Sequence, residues 1–301
     1  MASILIAENR VRVNGTHLNV ATAGAGSPVL VMHGFPHTWR VWNDIIPALG
    51  RTHRVIAPDL RGLGRSDRAD SGYHAHELAE DMAFLLDALD EPNAAVVAID
   101  AGAPPAFFLG LEHPDRVSRL VLMESTIGLL PGAEEFFRAG PPWWFGFHSI
   151  PGFAEKVLAG HEADYVDFFL RIGMASKRVD AAVRDAFVDA YSDSDSLRCA
   201  FEYYRAMPAN TDRINEATSR LRLTMPTMAI GGQVVGDATW RQLRPVTDDL
   251  RSHTIARSGH IIPLDAPDEL LSLIQPFLDA TPAEVSEPPS EDNVDAQSWR
   301  A

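Results

Sequence analysis

No stretch constrains this chain more than Ala94-Ala95-Val96-Val97-Ala98-Ile99-Asp100-Ala101-Gly102. An apolar, β-like run ends on a carboxylate, with one small residue two positions before it and another two positions after. That is the pattern of a nucleophile elbow, a sharp strand-to-helix turn that lifts one side chain into a pocket. Ala98 and Gly102 are small because the backbone there folds too tightly for larger side chains. Such a turn needs a buried strand before it and a helix packed behind it.

The rest of the sequence supplies more of both. Ser3 to Ala23 alternates and is broken by Asn14-Gly15, a hairpin signal. Pro28 to Met32, Arg54 to Ala57, Ala94 to Ile99 and Val117 to Met123 are short apolar runs that read as strands buried on both faces. Between them, His76 to Leu89 sets Leu78, Met82, Leu85, Leu86 and Leu89 on one helical face, and Gly102 to His113 also reads as helix. Strands alternating with helices predict an α/β fold with a mostly parallel sheet and helices on both faces. From Ser125 to Asn215 the chain is aromatic and helical, without clear strands. Strands return at Thr227 to Gly231 and Ser252 to Ala256, and a last helix is expected from Asp268 to Leu278. These bounds predict a core built from 1–125 and 216–280, interrupted by a helical cap over 126–215. The segment 281–301, rich in Pro, Glu, Ser and Asp, reads as a disordered tail.

Composition narrows the class of partner. A net charge of −15 argues against nucleic acid or an anionic membrane. Cys199 is the only cysteine, so no intrachain disulfide forms, a cytoplasmic setting is expected, and the thiol reads as packing. Met1 to Glu8 lacks the basic start and apolar run of a signal peptide, and no apolar run approaches membrane-spanning length. No Cys/His ligand cluster or phosphate-binding glycine loop appears, so neither metal nor organic cofactor is expected. The expected partner is a small molecule; a homodimer is neither required nor excluded.

The chemistry follows from the residue at the elbow. Serine there would form an acyl-enzyme, whereas a carboxylate attacks an sp³ carbon and becomes one side of an alkyl ester. The bond broken is then C–O of an epoxide or C–halogen. His260, in Ser258-Gly259-His260 after the last strand, has the context of a general base. Most of the 11 histidines are incidental; His37, His53, His74, His76, His113, His161 and His253 read as loop or surface residues without a role. The acid that orients His260 is Glu124 or Asp237. Glu124 ends a strand, where position is tightly fixed, and is favoured over Asp237 in its glycine-containing loop.

With these residues in view, the chain resembles the α/β-hydrolase family, in its epoxide hydrolase and haloalkanoate dehalogenase branch. The resemblance runs from about Ile6 to Leu278 and rests on His33-Gly34-Phe35-Pro36, Gly62-Leu63-Gly64-Arg65-Ser66-Asp67, the Asp100 elbow, Met123-Glu124 and Gly259-His260. It implies an oxyanion hole from the backbone N–H groups of Phe35 and Ala101. A tight turn at Pro36 invites a cis bond before it. Phe201-Glu202-Tyr203-Tyr204-Arg205-Ala206 resembles the segment that supplies the ring-opening tyrosine of bacterial epoxide hydrolases, which places Tyr204 in that role. The whole pattern is also similar to tailoring epoxide hydrolases of aromatic polyketide pathways, which implies an aromatic or polycyclic substrate.

One departure matters. Relatives often read Trp-His-Phe in the first cap helix, and this chain reads Trp143-Trp144-Phe145. Trp144 therefore replaces a ring-opening histidine. Its indole N–H can polarise an epoxide oxygen but cannot protonate it, which leaves Tyr204 as the proton source. Trp143 adds a second donor or is core packing; Phe35, Trp143 and Phe145 are expected against the substrate. Two other functions stay open. A dehalogenase would use the same Asp100, although the arginine expected just after the nucleophile in haloacetate dehalogenases is missing from Ala101-Gly102-Ala103-Pro104-Pro105. A non-catalytic ligand-binding homologue would normally have lost Asp100, Glu124 or His260.

Overall fold

The structure is a computed structural model that describes residues 4–176 and 178–280. The expected tail at 281–301 and the first residues of the N-terminal segment lie outside the described residues. Eight strands form one sheet: β1 (Ile6–Val13), β2 (Thr16–Ala23), β3 (Ser27–Met32), β4 (His53–Pro58), β5 (Ala94–Ile99), β6 (Val117–Met123), β7 (Thr227–Gly231) and β8 (Leu250–Thr254). Their spatial order is β1-β2-β4-β3-β5-β6-β7-β8. β1 and β2 pair antiparallel through the Asn14-Gly15 turn, where both residues have positive φ (38° and 77°) as a tight two-residue hairpin requires. β2 meets β4 antiparallel, and every pairing from β4 to β8 is parallel. β5 sits between β3 and β6 with all its residues buried, as its unbroken apolar sequence demands.

The helices of the sheet layers are the single turn α1 (Ile46–Leu49), α2 (Ala75–Ala88) and α3 (Ala103–Glu112). α2 buries Leu78, Met82, Leu85 and Leu86, the face read from the sequence. Between β6 and β7 a turn-rich stretch leads into six helices among the described residues, α4 (Trp143–Ser149), α5 (Phe153–Leu158), α6 (Glu162–Gly173), α7 (Ala181–Ala190), α8 (Ser194–Arg205) and α9 (Met207–Thr218). α9 runs past the expected border at 215. The chain closes with α10 (Ala238–Leu243), the short α11 (Ile262–Asp265) and α12 (Pro267–Asp279). β8 begins two residues earlier than its sequence suggested. It is an edge strand with only partial burial, so its apolar pattern is weak. Among the described residues, no helix is long and apolar enough to cross a membrane.

The helical insertion is joined to the sheet layers largely through main-chain acceptors. The Tyr191 hydroxyl donates to the His37 carbonyl (2.8 Å), the Tyr203 hydroxyl to the Arg61 carbonyl (2.8 Å), and the Arg68 guanidinium to the Ala190 carbonyl (3.1 Å). Asn210 of α9 accepts the Ala75 N–H at the start of α2 (2.9 Å).

The central strands β5 and β6 are buried along nearly their whole length. Leu122 of β6 has no exposed surface. Leu122→Ala is expected to cost about 2–5 kcal/mol of stability, because lost transfer energy adds to an incompletely collapsed cavity. Urea denaturation of parent and variant measures it.

Candidate active site

Asp100 follows β5 directly, with φ of 54°, a left-handed conformation rare for a residue with a side chain. A short turn at Asp100–Gly102 then leads into α3. The tightness anticipated around Gly102 is present: a Cβ there would lie 2.5 Å from the His33 carbonyl oxygen. The strained turn holds the carboxylate at the floor of a cavity of about 170 Å³ between the strand ends and the insertion.

The carboxylate is held from two sides. Phe35 N–H donates to its Oδ1 (2.8 Å), and the Ala101 N–H beside it favours the charged carboxylate. Phe35 is presented by the His33–Pro36 loop, where the Phe35–Pro36 bond is cis. That loop is fixed by His33, whose Nδ1 bonds the Gly34 carbonyl (2.8 Å) and whose Nε2 accepts Leu60 N–H (3.1 Å). On the other side, His260 Nε2–H donates to Asp100 Oδ2 (3.0 Å) and its Nδ1–H donates to Glu124 Oε2 (3.2 Å). Glu124 has no exposed surface, and Gly232 and Val235 N–H groups also donate to its carboxylate. It too has positive φ (43°), at the tip of β6. Asp237 is instead ion-paired with Arg241 (2.8 Å), one turn along its own helix and half exposed. The alternative acid therefore stands away from the histidine.

Charge organises this row of groups. Burial alone would lower the His260 pKa, but the hydrogen bonds and negative charges of Asp100 and Glu124 raise it to about 10. Burial would raise the Asp100 carboxyl, yet the His260 hydrogen bond and charge draw it down to about 2. The resting pair is an imidazolium beside a carboxylate.

The opposite wall of the cavity is aromatic. Tyr204, Trp144, Phe145, Phe35 and Phe169 line it. Tyr204 is 7% exposed, and burial, with the Asp100 charge next in weight, holds its hydroxyl well above the ordinary tyrosine range. It stays neutral and keeps its proton. Trp143 does not share this wall. Successive helical residues point about 100° apart, so Trp144 turns inward and Trp143 outward. Trp143 is 55% exposed, against Phe147 (5.9 Å between ring centroids) and Phe168 (5.8 Å). The expectation that Trp143 contacts substrate is corrected by this orientation.

Two histidines matter more than their sequence context suggested. His37, read above as incidental, is fully buried in the cavity wall, and its ring has no hydrogen-bond partner among the described residues. Burial, only partly opposed by the Asp100 charge, pushes it down to about 3, so it is neutral. His148 is buried behind Tyr204, with ring centroids 4.3 Å apart, and stacks on Phe201 at 4.1 Å. Its Nε2 bonds the Tyr165 hydroxyl at 2.7 Å. The available signal was spacing: His148 is one helical turn after Trp144, and His37 closes the loop begun by His33.

A sequence model described as alpha/beta hydrolase fold matches residues 27–267. The chain belongs to that family. Among α/β hydrolases it is similar to a protein named soluble epoxide hydrolase from Corynebacterium sp. (strain C12), 26% identical over 291 residues, covering 90% of this chain and 97% of the relative. A 2-hydroxymuconate semialdehyde hydrolase from Pseudomonas sp. (strain CF600) is 30% identical over 210 residues, covering 65% of this chain and 72% of that protein. The solved structure titled epoxide hydrolase CorEH without ligand superposes with a TM-score of 0.81 at 26% identity, covering 91% of this chain and all of that one (100%). Relatives within this α/β-hydrolase family thus carry names for more than one reaction, and the site must decide between them.

The electrostatics give a direct test. Glu124→Gln removes one of the two charges on His260 and is expected to move its titration midpoint well below about 10, whereas Asp237→Asn leaves it unchanged. The raised pKa also links to stability. The contribution from the His260 proton is fully present below its ordinary value of 6.5 and lost as pH rises through about 10. Imidazole titration by NMR and unfolding followed across that window measure both.

Proposed function

We propose that the protein is an epoxide hydrolase that opens a hydrophobic, aromatic or polycyclic epoxide to a vicinal diol through an ester on Asp100. The observation that carries this reading is a single arrangement. The Asp100 carboxylate, held ionised, lines the same cavity as the neutral Tyr204 hydroxyl and is bonded to His260. A nucleophile, an acid and a base thus surround one apolar space. The relatives named epoxide hydrolases support the same reading.

The steps follow from the charges. An Asp100 oxygen attacks an epoxide carbon and the ring C–O bond breaks. The ring oxygen takes the Tyr204 proton, with the Trp144 indole N–H as a second donor. Esterification removes the negative charge of Asp100, so His260 keeps only Glu124 as a charged partner and its pKa falls. It then releases its proton, which restores the Tyr204 phenol, and becomes a base. Neutral His260 takes a proton from water while the hydroxide adds to the Asp100 carbonyl carbon. Phe35 and Ala101 N–H groups hold the oxyanion. Collapse expels the diol oxygen, which takes the proton of the new carboxyl group. Asp100 is again a carboxylate and His260 an imidazolium. The helical insertion acts as the cap that keeps bulk water from the ester.

The competing reading is a dehalogenase with the same nucleophile. It needs donors for a halide, and with Trp143 turned outward Trp144 is the one indole among the described residues that lines the cavity. Among the described residues no lysine or arginine lines it either, so a haloacid carboxylate has no cationic partner among them.

In a single turnover in ¹⁸O-labelled water, the first diol is expected to be unlabelled and Asp100 to carry the label; a labelled first diol would falsify the ester route. His260→Gln is expected to accumulate protein plus substrate by intact mass. Tyr204→Phe removes the acid and is expected to lower epoxide turnover more than Trp144→Phe, which removes a donor alone. Both effects should approach the ~10²–10³-fold typical of one lost oxyanion donor. Brisk halide release from haloacids with no diol from any styrene-type or polycyclic epoxide would favour the dehalogenase.

A further inference from the structure

His260 belongs to the loop between β8 and α11, yet its backbone is bonded to the insertion. Its N–H donates to the carbonyl of Gly173, the last residue of α6 (2.6 Å), and Ile261 N–H donates to the same oxygen (3.0 Å). That carbonyl belongs to the helix end, where no intrahelical donor remains. Beside it, one carboxylate gathers three further N–H groups from both sides of the junction. Asp265 Oδ2 accepts Gly259 N–H (2.8 Å) and Ala175 N–H (2.7 Å), and its Oδ1 accepts Ser176 N–H (3.0 Å). The approach is so close that a Cβ on Gly259 would lie 2.4 Å from the Gly173 oxygen.

We propose that Asp265 is a positioning residue: it clamps the His260 loop to the end of α6, so that the imidazole stands between Asp100 and Glu124 only while the insertion is docked. The role given to His260 as base rests on the proposed hydrolase reading; the clamp does not. A carboxylate is suited to this work because charge-assisted bonds to N–H groups are about twice as strong as neutral ones. Two of its donors lie in the insertion and the third immediately precedes His260. Losing the carboxylate therefore removes bonds on both sides at once and leaves only the Gly173 carbonyl to hold the His260 loop to α6. Cap docking and base placement become one event, and a substrate that prises the insertion away also disarms the base.

The test is Asp265→Ala, with Asp265→Asn as the milder variant should the first fail to fold and Asp265→Glu to test rescue. The first readout is the downfield Nδ1–H resonance of His260 and its titration midpoint, which reports the carboxylates of Asp100 and Glu124 and the neutral His37 that surround the ring. In the parent the resonance should persist towards the raised midpoint of about 10. In the variant it should broaden through faster exchange, and the midpoint should fall by about one pH unit or more, with partial recovery in Asp265→Glu. The second readout is single-turnover kinetics with a styrene-type epoxide. Ester formation should persist while its hydrolysis slows at least about tenfold, as expected when a catalytic group is misplaced. A folded variant with unchanged resonance and midpoint overturns the proposal, even if its melting temperature falls. If the parent forms no ester with any epoxide but the resonance still responds, the hydrolase reading fails and the clamp stands.

Discussion

The imidazolium of His260 between the carboxylates of Asp100 and Glu124 is the interaction on which the rest of the site depends. Three ionisable groups in a row, Glu124 buried and Asp100 and His260 partly so, would be costly apart, since a charge withdrawn from water and left unpaired loses its hydration without recompense. Together they share one proton and a net charge of −1. The geometry needed for that sharing explains much of the surrounding backbone. Asp100 and Glu124 both take positive φ at the ends of adjacent strands, and each receives a backbone N–H on the oxygen that His260 leaves free, from Phe35 and from Gly232. The sheet sets the spacing, and the loops after it complete the solvation that water would otherwise supply.

In the proposed ester mechanism, the same arrangement separates two roles that one histidine holds in turn. Beside a charged Asp100 it is an acid reservoir; beside an esterified Asp100 it becomes a base. No movement is needed for the switch, because the change of charge on the neighbour does it. Glu124 cannot play the same part from the outside. Fully buried and bonded by the loop after β7, it keeps the ring oriented while Asp100 changes state in that mechanism.

Much of this was legible in the sequence because the chemistry sits at strand ends. Asp100, Glu124 and His260 each terminate or follow an apolar run, and a run that ends on a carboxylate is conspicuous. The sheet was legible for the same reason, except β8, whose edge position leaves too little burial to imprint a pattern. What could not be read were contacts that depend on how the insertion packs. The phase of α4 decides that Trp144 faces the cavity and Trp143 the solvent, and two adjacent tryptophans carry no phase information by themselves. His37 and His148 looked like any polar residue until the fold buried them. Asp265 acts through backbone N–H groups, which carry no side-chain signature at all.

The bonds joining the insertion to the sheet layers have a further consequence. Tyr191, Tyr203 and Arg68 all reach peptide carbonyls, at His37, Arg61 and Ala190, and any residue would offer the same oxygen. The acceptor side of the seam is thus nearly independent of side-chain identity. Residues around it can drift in evolution while the docking angle is kept, provided the backbone path survives. The two halves of the molecule can then diverge at different rates, with the roof of the cavity remodelled for new ligands above a floor whose reacting groups stay in place.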